Sequence, residues 1–180
     1  GRMIIDFQSS KDSLIIDAAF DSLAYQKYLL EDLRIDADGD PNELKIEING
    51  NELTSRGEEF IPVLGLDATM NKEDVSFHVN AKDDDGSPRI AFGGDLSRIS
   101  DGYRAHLTDS LFLNKEVWNV DPDNELTYTS QDVVIDNFSI ERAPQSISIQ
   151  SANKNENNNI NLEFENFEIN EITKFLVPEQ

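Results

Sequence analysis

From Leu33 almost to the C-terminus, apolar and polar residues take turns in short runs separated by turn-forming clusters. Leu33/Ile35/Ala37, Leu44/Ile46/Ile48, Val75/Phe77/Val79, Ile90/Phe92 and Tyr103/Ala105/Leu107 belong to the series. Leu111/Leu113, Leu126/Tyr128, Val133/Ile135, Phe138/Ile140, Ile147/Ile149 and Leu162/Phe164 continue it. Successive side chains of a strand point to opposite faces, so each run offers one apolar face and one wet face. A chain written this way is confined to one-sided antiparallel sheet, and what covers the apolar face becomes the functional question.

The punctuation supports a meander. Asp38-Gly39-Asp40-Pro41-Asn42 separates the Leu33 and Leu44 runs, and Asp84-Asp85-Gly86-Ser87-Pro88 separates the Val75 and Ile90 runs. Ser100-Asp101-Gly102 precedes Tyr103, and Asp121-Pro122-Asp123-Asn124 precedes Leu126. These residues preset a turn or tolerate left-handed backbone, and Asp-Gly between alternating runs is a strong hairpin signal. Strands recur about every ten to thirteen residues, a spacing suited to hairpins and too short for βαβ units.

Both ends read differently. Residues 1–29 form an uncertain N-terminal segment, expected to add strands to the same sheet. Ser13 to Phe20 reads as strand, whereas Ser22 to Leu29 fits either a strand or a helical turn capped by Asp21 or Ser22. Asn153 to Asn159 is a polar tract expected to loop out. Near the C-terminus Ile172, Phe175 and Leu176 adopt helical spacing with Asn170 as a cap, which predicts a short helix on the mouth of the sheet. Residues 30–180 are expected to form one repeat segment. The opening Gly1-Arg2-Met3-Ile4 drops directly into an apolar run, and we expect the chain to be a piece of a longer protein with Gly1 appended.

Composition narrows the function classes. A net charge of −21, from 36 acidic and 15 basic residues, opposes nucleic-acid binding, which needs clustered Lys and Arg to neutralise phosphates. With no cysteine, disulfides, thiol nucleophiles and thiolate metal sites are excluded. No apolar stretch approaches the roughly 18 to 20 residues of a spanning helix.

No residue set announces catalysis. Asp36, Asp38 and Asp40 alternate as the first ligands of a calcium loop do, but Pro41 stands where an EF-hand needs Gly. A solvated hairpin turn is the expectation, with calcium left open. His78 and His106 have no second ligand at metal spacing, and His78 falls on the polar side of its run. No Gly-x-Ser-x-Gly occurs, and no pair among the many carboxylates stands out as an acid/base couple. Gly93-Gly94 fits a bulge or a close backbone approach better than a phosphate loop. We expect no enzyme, no cofactor and no metal.

The stretch Asp109-Ser110-Leu111-Phe112-Leu113-Asn114-Lys115-Glu116-Val117-Trp118-Asn119-Val120 resembles a recurring element of TamB-type proteins. It continues through Asp121-Pro122-Asp123-Asn124-Glu125-Leu126-Thr127-Tyr128 and Val133-Val134-Ile135-Asp136-Asn137-Phe138-Ser139-Ile140. Gln145-Ser146-Ile147-Ser148-Ile149 and Leu162-Glu163-Phe164-Glu165-Asn166-Phe167-Glu168-Ile169 complete it. The likeness runs over residues 74 to 176; over 30 to 73 only the rhythm matches, and nothing is claimed for 1 to 29.

The resemblance implies a periplasmic segment of an envelope protein of the TamB/AsmA-like family, its parent anchored in the inner membrane. The implied fold is a curved, incompletely closed antiparallel sheet, a β-taco. The implied role is to carry phospholipid acyl chains between inner and outer membranes along an apolar groove. The groove-lining candidates are Phe77, Val79, Ile90, Phe92, Leu111, Leu113, Leu126, Tyr128, Ile147, Ile149, Leu162 and Phe164. The alternatives are a chaperone or scaffold for outer-membrane β-barrel strands, with a barrel partner of the TamA type, and a closed β-sandwich binding another partner. Open strand edges could pair two copies. The high acidity departs from what the family leads one to expect. Consecutive apolar positions such as Leu14-Ile15-Ile16 and Val133-Val134-Ile135 favour local packing on both faces.

Overall fold

Alternation translates into register with few interruptions. A computed structural model describes residues 1–8, 12–55, 58–108, 110–113, 115–151 and 160–166. It contains one antiparallel sheet of 15 strands that does not close on itself. Seven strands come first: β1 (Arg2–Gln8), β2 (Ser13–Tyr25), β3 (Tyr28–Gly39), β4 (Leu44–Ser55), β5 (Glu58–Asn71), β6 (Asp74–Lys82) and β7 (Pro88–Ile99). Shorter ones follow: β8 (Gly102–Leu107), β9 (Ser110–Leu113), β10 (Glu116–Val120), β11 (Glu125–Thr129), β12 (Val133–Asp136) and β13 (Phe138–Arg142). The last two are β14 (Gln145–Ser151) and β15 (Ile160–Glu165). No helix occurs among the described residues, and the helix expected around residues 170–176 lies outside them, as does the polar tract at 153–159.

The segment left open between strand and helical turn is strand. β2 runs to Tyr25, the chain reverses at Gln26-Lys27, and Tyr28 pairs back with Tyr25. Asp12 takes φ 49°, Gln26 φ 53°, Lys72 φ 56° and Lys115 φ 67°, so four hairpin turns carry left-handed residues that are neither Gly nor Asn. Between β6 and β7 the turn chemistry is the expected one. Gly86 has φ +80°, Asp83 carbonyl accepts from Gly86 N–H at 2.9 Å, and Asp85 Oδ1 accepts from Ser87 N–H at 2.8 Å.

The second half departs from simple hairpins. Asp121 to Asn124 does not reverse the chain: β10 and β11 run in the same direction, pairing with β9 and β8 on one side and with β13 and β12 on the other. β8 with β9, β10 with β11 and β12 with β13 are therefore three long strands, each broken in the middle. Counting each as one gives a path of twelve strands in strict sequence order.

The break is stitched by side chains. Asn124, 2% exposed, accepts at Oδ1 from Leu107 N–H (2.8 Å). Its Nδ2 donates to the carbonyls of Leu107 (2.8 Å) and Asp121 (2.7 Å), so one carboxamide replaces the missing ladder bonds. Thr108 N–H bonds Gly93 carbonyl at 3.0 Å and Asp121 N–H bonds Ser139 carbonyl at 2.9 Å along the same line. Gly94 belongs to this line, because a Cβ there would collide with the carbonyl of His106.

Little of the sheet is sealed from water. The chain exposes 12077 Å², against roughly 8,800 Å² for a compact protein of 20.3 kDa. Among the described residues, Trp118, Val120 and Ile140 form a cluster of buried side chains, with Leu107, Leu111, Leu113, Phe138 and Ile147 packed against it.

Candidate functional site: the apolar face of the sheet

Cross-strand register assembles the apolar runs into rows. One row is Met3, Ala18, Ile35, Ile48, Leu66, Val79 and Phe92, each opposite the next on β1 to β7. A second is Ile5, Ile16, Ala37, Ile46, Ala68, Phe77 and Gly94; a third joins Leu14, Gly39, Leu44, Met70, Val75 and Leu96. None of the three rows holds a charged residue. Residues in one row, and residues two apart along a strand, share a face.

The same face continues across the second half. Ile90 is opposite Leu113, Leu111 opposite Trp118, Val120 opposite Ile140, Ile140 opposite Ile147, and Ile147 opposite Phe164. Through β8, Leu96 meets Ala105, which meets Leu126, and Tyr128 lies two residues on. All twelve residues singled out from the sequence therefore lie on one face of one sheet.

None of the twelve is buried. Tyr128 and Leu162 are each 54% exposed and Phe164 46%, and the other nine are half-buried. Phe77 and Phe92, two residues out of register on neighbouring strands, meet edge to face with centroids 6.3 Å apart. Met3 at 59% and Ile5 at 56% extend the exposed surface to the first strand. No second layer of described residues lies over this face.

Sequence reasoning placed the candidates only from Phe77 onward and missed the matching rows on β1 to β5. Their signal was present, since Ile35/Ala37 and Ile46/Ile48 alternate as plainly as the later runs. At the other end the face is capped. Arg142 lays its guanidinium 5.3 Å from the centre of the Trp118 ring. It also contacts Glu116 at 3.0 Å and donates to Gln145 Oε1 at 3.1 Å. Trp118, at 2% exposure, is thus a packed core residue under a polar clasp.

The opposite face collects the acidity. Asp17, Asp36, Glu47, Asp67 and His78 stand opposite one another on five adjacent strands. The next row on that face holds Ile15, Asp38, Lys45, Thr69 and Ser76. A concavity of about 620 Å³ is lined by these two rows and by the apolar-face row between them.

Among the described residues no group of three or more His or acidic side chains is arranged to hold a metal ion. Asp40, the third residue of the calcium-like spacing, accepts from the N–H groups of Asn42 (2.7 Å) and Glu43 (3.1 Å). Those two backbone hydrogen bonds hold its carboxyl below the ordinary aspartate range. His106 Nε2 lies 3.0 Å from the carbonyl of Pro122, at the strand break.

No family model, curated protein or solved structure matches the chain. The likeness to TamB-type proteins stands on the quoted residues alone.

Proposed function

We propose that this chain works without catalysis, as a segment of a TamB-like envelope protein whose uncovered apolar face carries phospholipid acyl chains through the periplasm. One observation carries the reading: a single apolar face runs from Met3 to Phe164 with no second layer of described residues over it. An acyl chain laid on such a surface removes its own methylenes from water, each contributing about 0.8 kcal/mol.

The distribution of charge fits. The acidic rows of β2 to β6 are on the far face, and the three apolar rows of β1 to β7 hold no charge. Acyl chains would meet hydrocarbon while headgroups remain in solvent, so a net charge of −21 need not repel the part of the lipid that binds. A strand of an outer-membrane barrel protein is the competing cargo, and the rims β1 and β15, each with no described strand on its outer side, favour it.

Native mass spectrometry of the purified chain, with lipid extraction in parallel, tests the reading. Stoichiometric phospholipid that is lost in Phe92→Glu or Phe164→Glu is the expected result. A lipid-free mass that stays unchanged on exposure to phospholipid would sink the proposal and favour a scaffold.

A further inference from the structure

Followed along β7, the apolar face changes character in layers. Phe92, Gly94 and Leu96 alternate toward the end of the strand, and the next residue on that face is Arg98. Register carries this last layer across the middle of the sheet. Arg98 stands opposite Tyr103, Tyr103 opposite Tyr128, and Tyr128 opposite Val133. Tyr103 and Tyr128 are exposed alike, at 49% and 54%.

Beyond the layer come acidic turns. Glu73 lies between β5 and β6, Asp101 between β7 and β8, and Asp132 between β11 and β12, all at this end of the sheet. Arg98 N–H donates to the Glu73 carbonyl at 2.9 Å, and Asp101 Oδ1 accepts from Ser130 Oγ at 3.2 Å, so the turns are tied to the layer and to each other.

Other cations of these strands are already neutralised. Arg89 and Lys115 both pair with Asp83, Arg104 pairs with Glu125 at 3.2 Å, and Arg142 with Glu116 at 3.0 Å. Arg98 is exposed and forms no ion pair among the described residues. In a chain with 36 acidic side chains, this guanidinium is left without one at the point where the apolar rows end.

Hydrocarbon, then tyrosine with guanidinium, then carboxylate is also the order needed to match a zwitterionic phospholipid, which runs from acyl chains through phosphate to amine. Tyrosine is apolar along its ring and polar at its tip, which suits the boundary between the two environments. A guanidinium meets phosphate oxygens with paired N–H donors.

We infer that Arg98, with Tyr103 and Tyr128 beside it, binds the phosphate of a zwitterionic phospholipid whose acyl chains lie along the face toward Phe92. The amine points to the acidic turns. This inference rests on the lipid-carrying role proposed for the face, and it adds a headgroup end and a headgroup class. A phospholipid without an amine, such as phosphatidylglycerol, brings a net negative charge against Glu73, Asp101 and Asp132 and is disfavoured.

Three short-chain lipids with identical acyl groups test the site by titration calorimetry: phosphatidylethanolamine, phosphatidylglycerol and phosphate-free diacylglycerol. The wild-type chain is expected to bind phosphatidylethanolamine tightest. Arg98→Gln weakens that binding about tenfold and leaves diacylglycerol unchanged, and Arg98→Lys recovers part of the loss. The ratio of the two affinities within each variant reads the site independently of any loss of folded protein. Diacylglycerol bound as tightly as phosphatidylethanolamine by the wild type, or a ratio unmoved by both substitutions, would overturn the headgroup site and leave the acyl-chain reading standing. Phosphatidylglycerol bound as tightly as phosphatidylethanolamine would overturn the zwitterionic class. Uptake of none of the three lipids would sink the acyl-chain reading and the headgroup site together.

Discussion

The two halves of the sheet handle the same problem in opposite ways. From β1 to β7 the strands are long and essentially unbroken, and their apolar face carries small residues such as Ala18, Ala37, Ala68 and Ala81 beside partly exposed larger ones. From β8 to β13 every strand is broken once, and the same face gathers Trp118, Val120 and Ile140 into a packed cluster under Arg142. The buried cluster lies on the broken strands, whereas Met3, Ile5 and Met70 on the unbroken ones are exposed.

The largest expected effect comes from removing the packed half's anchor. Trp118→Ala leaves a cavity in the buried cluster and should cost about 3–5 kcal/mol in chemical denaturation. Ile46→Ala, on the open half, should cost about 1 kcal/mol, because half-buried surface is lost and no closed cavity forms. Equal costs at the two sites would erase the distinction between the halves.

Asn124→Ala attacks the boundary itself. It strips partners from Leu107 N–H and from two carbonyls at a site 2% exposed, and about 2–3 kcal/mol is expected, read as earlier hydrogen exchange across β8 to β11. Gly94→Ala pushes a methyl against the His106 carbonyl and should cost about 1–3 kcal/mol, again centred on the break.

The smallest effect lies in the open half. Asp40's carboxyl is held below its ordinary range in the folded chain by the two backbone N–H groups it accepts from. Its stabilisation of the β3–β4 turn is present above the ordinary carboxylate range and lost as pH falls through the lowered value. Asp40→Ala should remove that part of the acid dependence, visible as a smaller change in Tm between neutral and acidic pH.

Much of this was legible because alternation is a direct record of which side a residue faces. The rows on β6, β7, β9, β14 and β15 follow from single runs such as Phe77/Val79 and Ile147/Ile149. The turn at Gln26-Lys27 was not legible, since neither residue is a usual carrier of positive φ and the surrounding Leu and Tyr also fit helical spacing. Asp121-Pro122-Asp123-Asn124 looked like a reversal because its residues are turn formers. Only the pairing of β10 and β11 with shared neighbours reveals a break within a strand. Asn124's role needed a structure, as nothing local distinguishes a carboxamide that replaces ladder bonds from one that faces water. The gathering of Asp17, Asp36, Glu47 and Asp67 on the face opposite the apolar rows needed the cross-strand register as well.

A sheet in which each of twelve strands, the broken ones counted as one, pairs only with its neighbours in sequence has a kinetic consequence. Most of its pairings close short loops, so assembly can begin at any hairpin and spread outward like a zip, at low entropic cost per step. Its cooperativity should resemble that of a repeat array more than that of a globular core, with stability set strand by strand against the adjacent one. Pulled from its two ends, such a chain would unravel one strand at a time and pause where the Trp118 cluster locks the β10 and β13 strands together.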